Sequence, residues 1–170
     1  MKIVATIEAR MESSRLPGKT LSPILGRPML ELLLERVRRA RRVDEVVVAT
    51  TDHAADQPIE ALARLLGAGC FRGSSDYVLD RVLRAAQAHQ ADLIVELTGD
   101  CPLLDPEVID QVIEVFLSGE YDYVSNVLTR TYPRGLDTQV FPVRVLQEVA
   151  SLTQDPADRE NVSLYIYEHP

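Results

Sequence analysis

Apolar residues in the first hundred positions occur in two arrangements: short continuous runs, and longer segments with helical spacing. The short runs show little alternation between apolar and polar residues, so each is predicted to be a strand that is buried on both faces. The predicted strands are residues 2–8, 45–50, 70–72 and 92–97.

Between these runs, apolar side chains recur with the spacing of one buried helix face. Pro28 suits the first position of one helix, and Gly67 suits the end of another. Asp105, which a proline follows, suits the cap of a further helix. The predicted helices are residues 28–42, 54–66, 77–89 and 105–117. The alternation of strand and helix predicts an α/β fold with a Rossmann-like, doubly wound and mainly parallel sheet.

The pattern is less regular in the last third of the chain. The elements predicted there are two strands, a short helix and a helical tail, at residues 121–126, 138–143, 145–151 and 159–168. The tail carries Leu164 and Ile166 with no element assigned to cover them. We therefore expect a single domain, residues 1–170, that is cut short at its carboxyl end.

The chain has 170 residues, of which 46% are hydrophobic, and a formal net charge of −8. This composition is typical of one globular domain with a proper core. An acidic protein is a poor candidate for non-specific nucleic-acid binding, which depends on the neutralisation of phosphates. A local basic site for a small anion is still compatible with this charge.

Targeting and zinc signals are absent from the sequence. The apolar N-terminal stretch is too short for a signal peptide, and no stretch is long enough to span a membrane. The two cysteines and three histidines do not have the spacing of zinc ligands. These observations predict a cytoplasmic protein with neither a nucleic-acid nor a membrane partner.

The segment ARMESSRLPGKT, residues 9–20, follows the first predicted strand and ends as a P-loop ends. It is not a P-loop, because Ser13 stands where that motif requires glycine and Pro23 would interrupt the following helix. It nevertheless combines small residues with three cations at the end of a strand, which suits a polyphosphate. The alternative is a solvated loop whose basic side chains face water. The nucleotide-binding residues predicted here are Ala9, Arg10, Ser13, Ser14, Arg15, Gly18 and Lys19.

Several motifs resemble those of one known family. ARMESSRLPGKTL, followed by GRPMLELLLERV, resembles the N-terminal signature of the sugar cytidylyltransferases, which include 3-deoxy-manno-octulosonate and acylneuraminate cytidylyltransferases. FRGSSDYVLDRV, ELTGDCPLLDPEVID and YPRGLDTQVF resemble the branch that serves spore coat polysaccharide biosynthesis. The likeness covers essentially the whole chain.

The resemblance implies a fold of the nucleotide-diphospho-sugar transferase type and a Mg²⁺-dependent enzyme. The implied reaction transfers CMP from CTP to a sugar or sugar acid, with release of pyrophosphate, in surface polysaccharide biosynthesis. The resemblance further implies that Arg10, Lys19 and Asp100 are catalytic and that the protein forms a homodimer.

Asp100 follows the predicted strand 92–97 in the motif TGDCP, so its carboxylate is expected at the same edge of the sheet as the first loop. A nucleoside triphosphate needs a divalent cation, and Mg²⁺ binds carboxylate and phosphate oxygens. The alternative is a turn aspartate that bonds its own backbone. In the resembled family the corresponding aspartate is the metal ligand, which implies that Asp100 binds Mg²⁺.

The motif after the third predicted strand adds candidate base contacts. The resemblance implies that Arg72, Gly73, Ser74 and Arg81 bind the nucleotide beside the base and ribose. The alternative is a helix entry, with Ser74 or Ser75 as its cap. Both interpretations can hold together.

The motif YPRGLDTQ and the residues before it add candidate contacts to the acceptor. Asn126, Arg134 and Asp137 are the predicted substrate-binding residues. A turn formed by the proline and glycine of the motif would explain it without a ligand. Gln139 stands where members of the branch tend to have glutamate, which removes a negative charge from this position.

Two other functions stay open at this stage. The sequence does not identify the base, so another nucleoside triphosphate would make the chain a uridylyl- or guanylyltransferase. Loss of activity would make it a non-catalytic nucleotide-sugar binding module, and Gln139 is the argument for that alternative.

Overall fold

Eight strands, seven α-helices and two 3₁₀ turns form the computed structural model, which describes residues 1–13 and 15–169. The strands are β1 (Ile3–Glu8), β2 (Pro23–Ile24), β3 (Arg27–Pro28), β4 (Glu45–Thr51), β5 (Gly69–Gly73), β6 (Leu93–Thr98), β7 (Val124–Ser125) and β8 (Gln139–Pro142). The helices are α1 (Met29–Val37), α2 (Gln57–Leu65), α3 (Val78–Ala88), α4 (Pro106–Leu117), α5 (Val143–Leu152), α6 (Pro156–Glu160) and α7 (Leu164–Glu168). The 3₁₀ turns are Lys19–Leu21 and Ala54–Asp56.

Six of the strands form one sheet in the order β5-β4-β1-β6-β8-β7. The first four of these are mutually parallel, and β8 is antiparallel to both β6 and β7. The predicted α/β class with a mainly parallel sheet is therefore confirmed. The strand predicted at 138–143 is also confirmed, as β8, with an antiparallel direction that its own sequence does not specify.

Both faces of the sheet are covered by helices, as a doubly wound fold requires. On one face, Leu30 and Leu33 of α1 pack in the same apolar cluster as Ile109 of α4. On the other face, Val82 of α3 packs in a cluster with Leu146 of α5. The central strands β1, β4 and β6 lie between these clusters, which is why their sequences are continuous apolar runs.

The first helix is shorter than predicted, since α1 ends at Val37 and not at residue 42. Asp110, which is buried, accepts hydrogen bonds from the backbone N–H groups of Arg41 (3.0 Å) and Arg42 (2.9 Å). These bonds draw the chain out of the helix and toward α4, a long-range contact that helical periodicity cannot reveal.

The predicted helical tail at 159–168 is wrong as a single helix. Asp155 caps α6 by accepting a hydrogen bond from the backbone N–H of Ala157 at 2.8 Å, and α6 ends where Asn161 becomes extended. A second helix, α7, then begins after Ser163. The predicted strand at 121–126 is likewise reduced to the two residues of β7.

A short hairpin of β2 and β3 was not predicted, because each of its strands has only two residues. Apart from this hairpin and the divided tail, the strand-helix order agrees with the prediction. Among the described residues, no helix has both the length and the apolar character needed to cross a membrane.

Candidate active site

A cleft with a volume of about 350 Å³ opens at the carboxyl ends of β1 and β6. Its walls come from the loop after β1, from residues 98–100 after β6, from the beginning of α3 and from the end of α6. Open α/β sheets bind their ligands at this edge, and the volume lies within the range of small-molecule sites. The cleft is therefore the candidate active site.

Backbone contacts close the base of the cleft. The Gly99 N–H donates to the carbonyl oxygen of Glu8 at 2.9 Å, and a Cβ atom at position 99 would lie only 2.1 Å from that oxygen. Gly18 has a φ of 74°, in the left-handed region that favours glycine, and its N–H donates to the carbonyl of Met11 at 2.8 Å. The loop after β1 thus turns back over the end of its own strand.

Asp56 holds the beginning of this loop from inside the protein. Its Oδ1 accepts a hydrogen bond from the backbone N–H of Met11 at 2.7 Å. Its Oδ2 accepts from the hydroxyl of Thr50 and from the backbone N–H of Thr51, both at 3.2 Å. Asp56 is 1% exposed, so the loop is supported before any ligand arrives. Sequence reasoning missed Asp56, because it lies in a segment predicted to be helical.

Most of the residues predicted in the first loop reach the cleft. Those that line it are Ala9, Arg10, Ser13, Arg15 and Lys19. Arg10 and Arg15 are exposed, so their guanidinium groups are available to an anion. Gly18 shapes the loop, and Ser14 lies outside the described residues. Nucleotide binding by all seven of these residues stays a prediction, which their placement makes feasible.

Lys19 and Asp100 form an ion pair across the cleft, with Lys19 Nζ 2.8 Å from Asp100 Oδ2. Burial by itself would raise the pKa of Asp100, but the hydrogen bond and the charge of Lys19 hold that pKa below its ordinary value. Asp100 is therefore ionised at neutral pH, as a metal ligand must be.

Asp100 fits Mg²⁺ as a single protein ligand. No cluster of three or more histidine, cysteine or acidic side chains suited to a metal occurs within residues 1–13 and 15–169. Mg²⁺ at nucleotide sites typically takes one or two carboxylates and completes its coordination with phosphate and water oxygens. The carboxylate of Asp100 is therefore compatible with a Mg²⁺ ion that arrives with a nucleotide.

Of the four residues predicted beside the base, Arg81 lines the cleft. It is 2% exposed, and its guanidinium donates to the carbonyl oxygens of Ala49 (3.3 Å) and Ser74 (2.5 Å). Ser74 also accepts hydrogen bonds from the backbone N–H groups of Asp76 (3.2 Å) and Tyr77 (3.3 Å), which form a turn before α3. The N-cap of α3 is Tyr77, so the predicted cap at Ser74 or Ser75 is wrong. Gly73 is the last residue of β5.

Arg72 is engaged away from the cleft. It donates to the carbonyl oxygens of Thr51 (3.0 Å) and His53 (2.8 Å), and it pairs with Glu60 at 3.1 Å. These bonds tie β5 to the turn after β4. A contact of Arg72, Gly73 or Ser74 with the nucleotide stays a prediction.

The predicted acceptor-binding residues lie in one segment that does not line the cleft. Asn126 bridges the segment, because its Nδ2 donates to the carbonyl of Leu136 (2.8 Å) and its Oδ1 accepts from the N–H of Thr138 (2.9 Å). Asp137 forms a two-point ion pair with Arg130, at 2.8 and 3.0 Å. Arg134 is exposed. Acceptor binding by Asn126, Arg134 and Asp137 stays a prediction.

The end of α6 supplies cleft residues that sequence reasoning missed. Glu160 and Asn161 line the wall opposite the first loop. The guanidinium of Arg159 lies 4.9 Å from the centre of the Tyr77 ring, which docks α6 against the beginning of α3. The Asp-Pro pair at 155–156 is the sequence signal for this helix, since it has the same form as the cap before α4.

Residues 4–170 match a family model described as cytidylyltransferase. The spore coat polysaccharide biosynthesis protein SpsF of Bacillus subtilis is 35% identical over 175 residues, which cover 99% of this chain and 71% of that protein. A 3-deoxy-manno-octulosonate cytidylyltransferase of Pelobacter propionicus is 40% identical over 119 residues, which cover 69% of this chain and 45% of that protein.

A solved structure agrees with these sequence matches. A cytidylyltransferase from Leptospira borgpetersenii serovar Hardjo-bovis superimposes with a TM-score of 0.95 at 36% identity, and the match covers 99% of this chain and 72% of that one. The resemblance read from the motifs and the nucleotide-diphospho-sugar transferase type of fold are thereby confirmed. The chain belongs to the cytidylyltransferase family.

Proposed function

We propose that this protein transfers CMP from CTP to a sugar or sugar acid, with release of pyrophosphate, and that it uses Mg²⁺. The observation that carries the proposal is the ion pair between Lys19 and Asp100 in a cleft that also presents Arg10 and Arg15. Membership of the cytidylyltransferase family supports CTP as the nucleotide. The names of two relatives, one of a spore coat polysaccharide protein and one of an octulosonate enzyme, support a sugar or sugar acid as the acceptor in surface polysaccharide biosynthesis.

The first loop is suited to bind the triphosphate. Arg10 and Arg15 offer forked hydrogen-bond donors to phosphate oxygens, and Lys19 offers a compact charge. Because Asp56 and Gly18 already fix the path of the loop, little ordering is needed when the nucleotide binds. We assign to Arg10 and Lys19 the stabilisation of the negative charge that develops on the phosphates during the reaction.

Asp100 is the residue that would hold Mg²⁺, which would offset phosphate charge and favour attack at the α-phosphorus. Lys19 would exchange its contact with Asp100 for a contact with phosphate as the nucleotide enters. The carboxylate of Asp100 would then be free to meet the cation.

The acceptor hydroxyl would attack the α-phosphorus in line, forming the new P–O bond as the bond to pyrophosphate breaks and losing its proton to water or to the departing pyrophosphate. No covalent enzyme intermediate is required. The protein would therefore contribute to catalysis by positioning the reactants and stabilising charge. The cleft meets this need for positioning and charge stabilisation, because its charged side chains lie on loops that backbone hydrogen bonds hold in place.

The proposal is tested by thermal stabilisation with CTP, UTP, GTP and ATP, each with and without Mg²⁺. A ligand at about 100 times its Kd adds about 2.7 kcal/mol to the free energy of unfolding, which is a shift of several degrees for a domain of this size. We expect a Mg²⁺-dependent shift with CTP and smaller shifts with the other nucleotides. No shift with any nucleotide would contradict the proposal.

A further inference from the structure

We infer that Glu8 is a further binding residue of the cleft, and that it accepts a hydrogen bond from a hydroxyl or amino group of the nucleoside. The inference rests on the proposed function, because it requires a nucleotide in this cleft. It comes from a chain of three polar side chains on neighbouring strands beneath the cleft: the buried Glu96 and the partly buried Glu8 and Gln139.

Glu8 and Glu96 project from neighbouring parallel strands onto the same face of the sheet. In the register of β1 and β6, Val4 lies opposite Ile94 and Thr6 lies opposite Glu96. Val4 and Ile94 both belong to the apolar cluster beneath α3 and α5. Because side chains alternate along a strand, Glu8 shares that face. Glu96 is paired with Thr6 and Glu8 with Thr98, so the two acids are diagonal neighbours on this face.

Gln139 determines the orientation of Glu96. Its amide oxygen accepts hydrogen bonds from the hydroxyls of Ser163, at 2.7 Å, and Tyr123. Its amide nitrogen is therefore the group that faces Glu96, and it donates to Glu96 Oε2 at 2.8 Å. A glutamate at position 139 would bring a third carboxyl group beside Glu8 and Glu96. The amide of Gln139 instead donates a hydrogen bond to the acid pair and adds no negative charge.

Glu8 has a buried oxygen, Oε1, to which no residue in the described part of the chain donates a hydrogen bond. Two adjacent buried carboxyl groups share a proton rather than ionise together. A proton shared with Glu96 satisfies Oε1, and burial raises the pKa of both groups in agreement with this arrangement. Glu8 is partly exposed and lines the cleft, so its second oxygen is the acceptor that the cleft offers.

The surroundings of Glu8 determine which ligand group it can meet. The exposed cations Arg10 and Arg15 belong to the first loop, where the triphosphate is expected. Glu8 lines the same cleft as that loop, and its carboxyl group interacts with the charges of Arg81, Asp100 and Arg10. A nucleoside attached to the phosphates would enter the part of the cleft that the triphosphate leaves open. A pair of carboxyl groups that shares one proton carries one negative charge. It therefore repels carboxylates and phosphates and accepts a hydrogen bond from a hydroxyl or amino group. Cytidine offers its 2′-hydroxyl, its 3′-hydroxyl and its 4-amino group.

The test compares Glu8→Ala with the unaltered chain by calorimetric titration of CTP and of inorganic tripolyphosphate, both with Mg²⁺. We expect Glu8→Ala to bind CTP about tenfold more weakly, the scale of one hydrogen bond to a charged or partly charged acceptor. Tripolyphosphate, which lacks the nucleoside, should bind with unchanged or slightly higher affinity. Glu8→Gln keeps an oxygen acceptor and should recover most of the lost affinity. Glu120→Gln, an exposed charge change outside the cleft, is the matched control.

Titrations with UTP and dCTP identify the donor group. If Glu8 meets the 4-amino group, the unaltered chain prefers CTP over UTP and Glu8→Ala loses that preference. If it meets the 2′-hydroxyl, the preference of CTP over dCTP is lost instead. A loss shared equally by all three nucleotides assigns the 3′-hydroxyl.

Unchanged CTP binding by Glu8→Ala would overturn the inference, and so would an equal loss of CTP and tripolyphosphate affinity. Either result leaves the proposed function intact, because the unaltered chain still binds CTP. Failure of the unaltered chain to bind any nucleotide would overturn both. If Glu8→Ala does not fold, Glu8→Leu removes the acceptor while filling its volume, and the same comparison applies.

Discussion

The charged side chains of the cleft differ in how far the free protein already engages them. Lys19 is paired with Asp100, and Arg81 is buried against two carbonyl oxygens. Burial lowers the pKa of Arg81, but a guanidinium remains charged in proteins. Arg10 and Arg15 are exposed and are therefore the first cations that an incoming nucleotide meets.

Removing either member of the ion pair is expected to disable turnover. We expect Asp100→Ala or Lys19→Ala to lower kcat by at least ~100-fold, the order observed when one preorganised electrostatic group is lost. The measurement is pyrophosphate release from CTP and Mg²⁺, with an acceptor found by screening sugars and sugar acids.

Glu107→Ala is the control for this pair of variants, because Glu107 is an exposed residue of α4 outside the cleft. It should retain the activity of the unaltered chain. Near-normal turnover in folded Asp100→Ala would exclude Asp100 as the metal ligand.

The sequence makes some of these residues predictable and hides others. Arg10, Arg15 and Lys19 lie in one contiguous segment after a recognisable strand, so a local pattern locates them. Glu8 and Gln139 come from strands far apart in sequence and meet only through Glu96, which lies between them in the sheet order. Nothing local distinguishes Glu8 from an ordinary polar position in a strand, and the motif that singles out Gln139 does not reveal its contact with Glu96.

Among the elements, the turn between β4 and α2 supports the first loop through Asp56. We expect Asp56→Ala to lower the free energy of unfolding by about 1–3 kcal/mol, since it leaves buried donors without an acceptor. We also expect it to weaken tripolyphosphate binding, because the loop loses its internal support. Urea unfolding and calorimetric titration measure the two effects.

Glu60→Ala provides the comparison for Asp56→Ala. Glu60 supports the same turn through Arg72 but does not contact the first loop. This variant should therefore keep its affinity for tripolyphosphate. Equal losses of affinity in both variants would show that the turn acts on the loop only through general stability.

Element type was easier to predict than element placement. The parallel strands β1, β4 and β6 are apolar runs separated by helices, and this order by itself favours a parallel sheet. The antiparallel insertion of β8 beside β6 was not predictable, because strand order depends on contacts remote in sequence. The tail was misread because nothing in its sequence marks the break at Asn161, where the backbone becomes extended between α6 and α7.

For the whole molecule, the buried acid pair should make stability depend on pH. Burial and the neighbouring Glu8 raise the pKa of Glu96 well above its ordinary value of 4.5. As the pH rises above 4.5, the unfolded chain therefore releases this proton while the folded protein still holds it. This contribution lowers the free energy of unfolding until the pH passes the raised pKa.

Glu96→Gln isolates that contribution. We expect the variant to lose less stability than the unaltered chain as the pH is raised from about 5 to about 8, because its amide does not titrate. Chemical unfolding at several pH values measures the difference. Parallel pH profiles for the two proteins would contradict the raised pKa.

The close approach of Gly99 to the carbonyl oxygen of Glu8 joins the two loops that form the cleft. A side chain at position 99 would collide with the end of β1, so neither loop can be redesigned as an independent part. Libraries intended to change ligand preference should keep the backbone of both loops fixed and vary the side chains that point into the cleft. In protein engineering, the loop after β1 and the loop after β6 should therefore be transferred between family members together, as a matched pair.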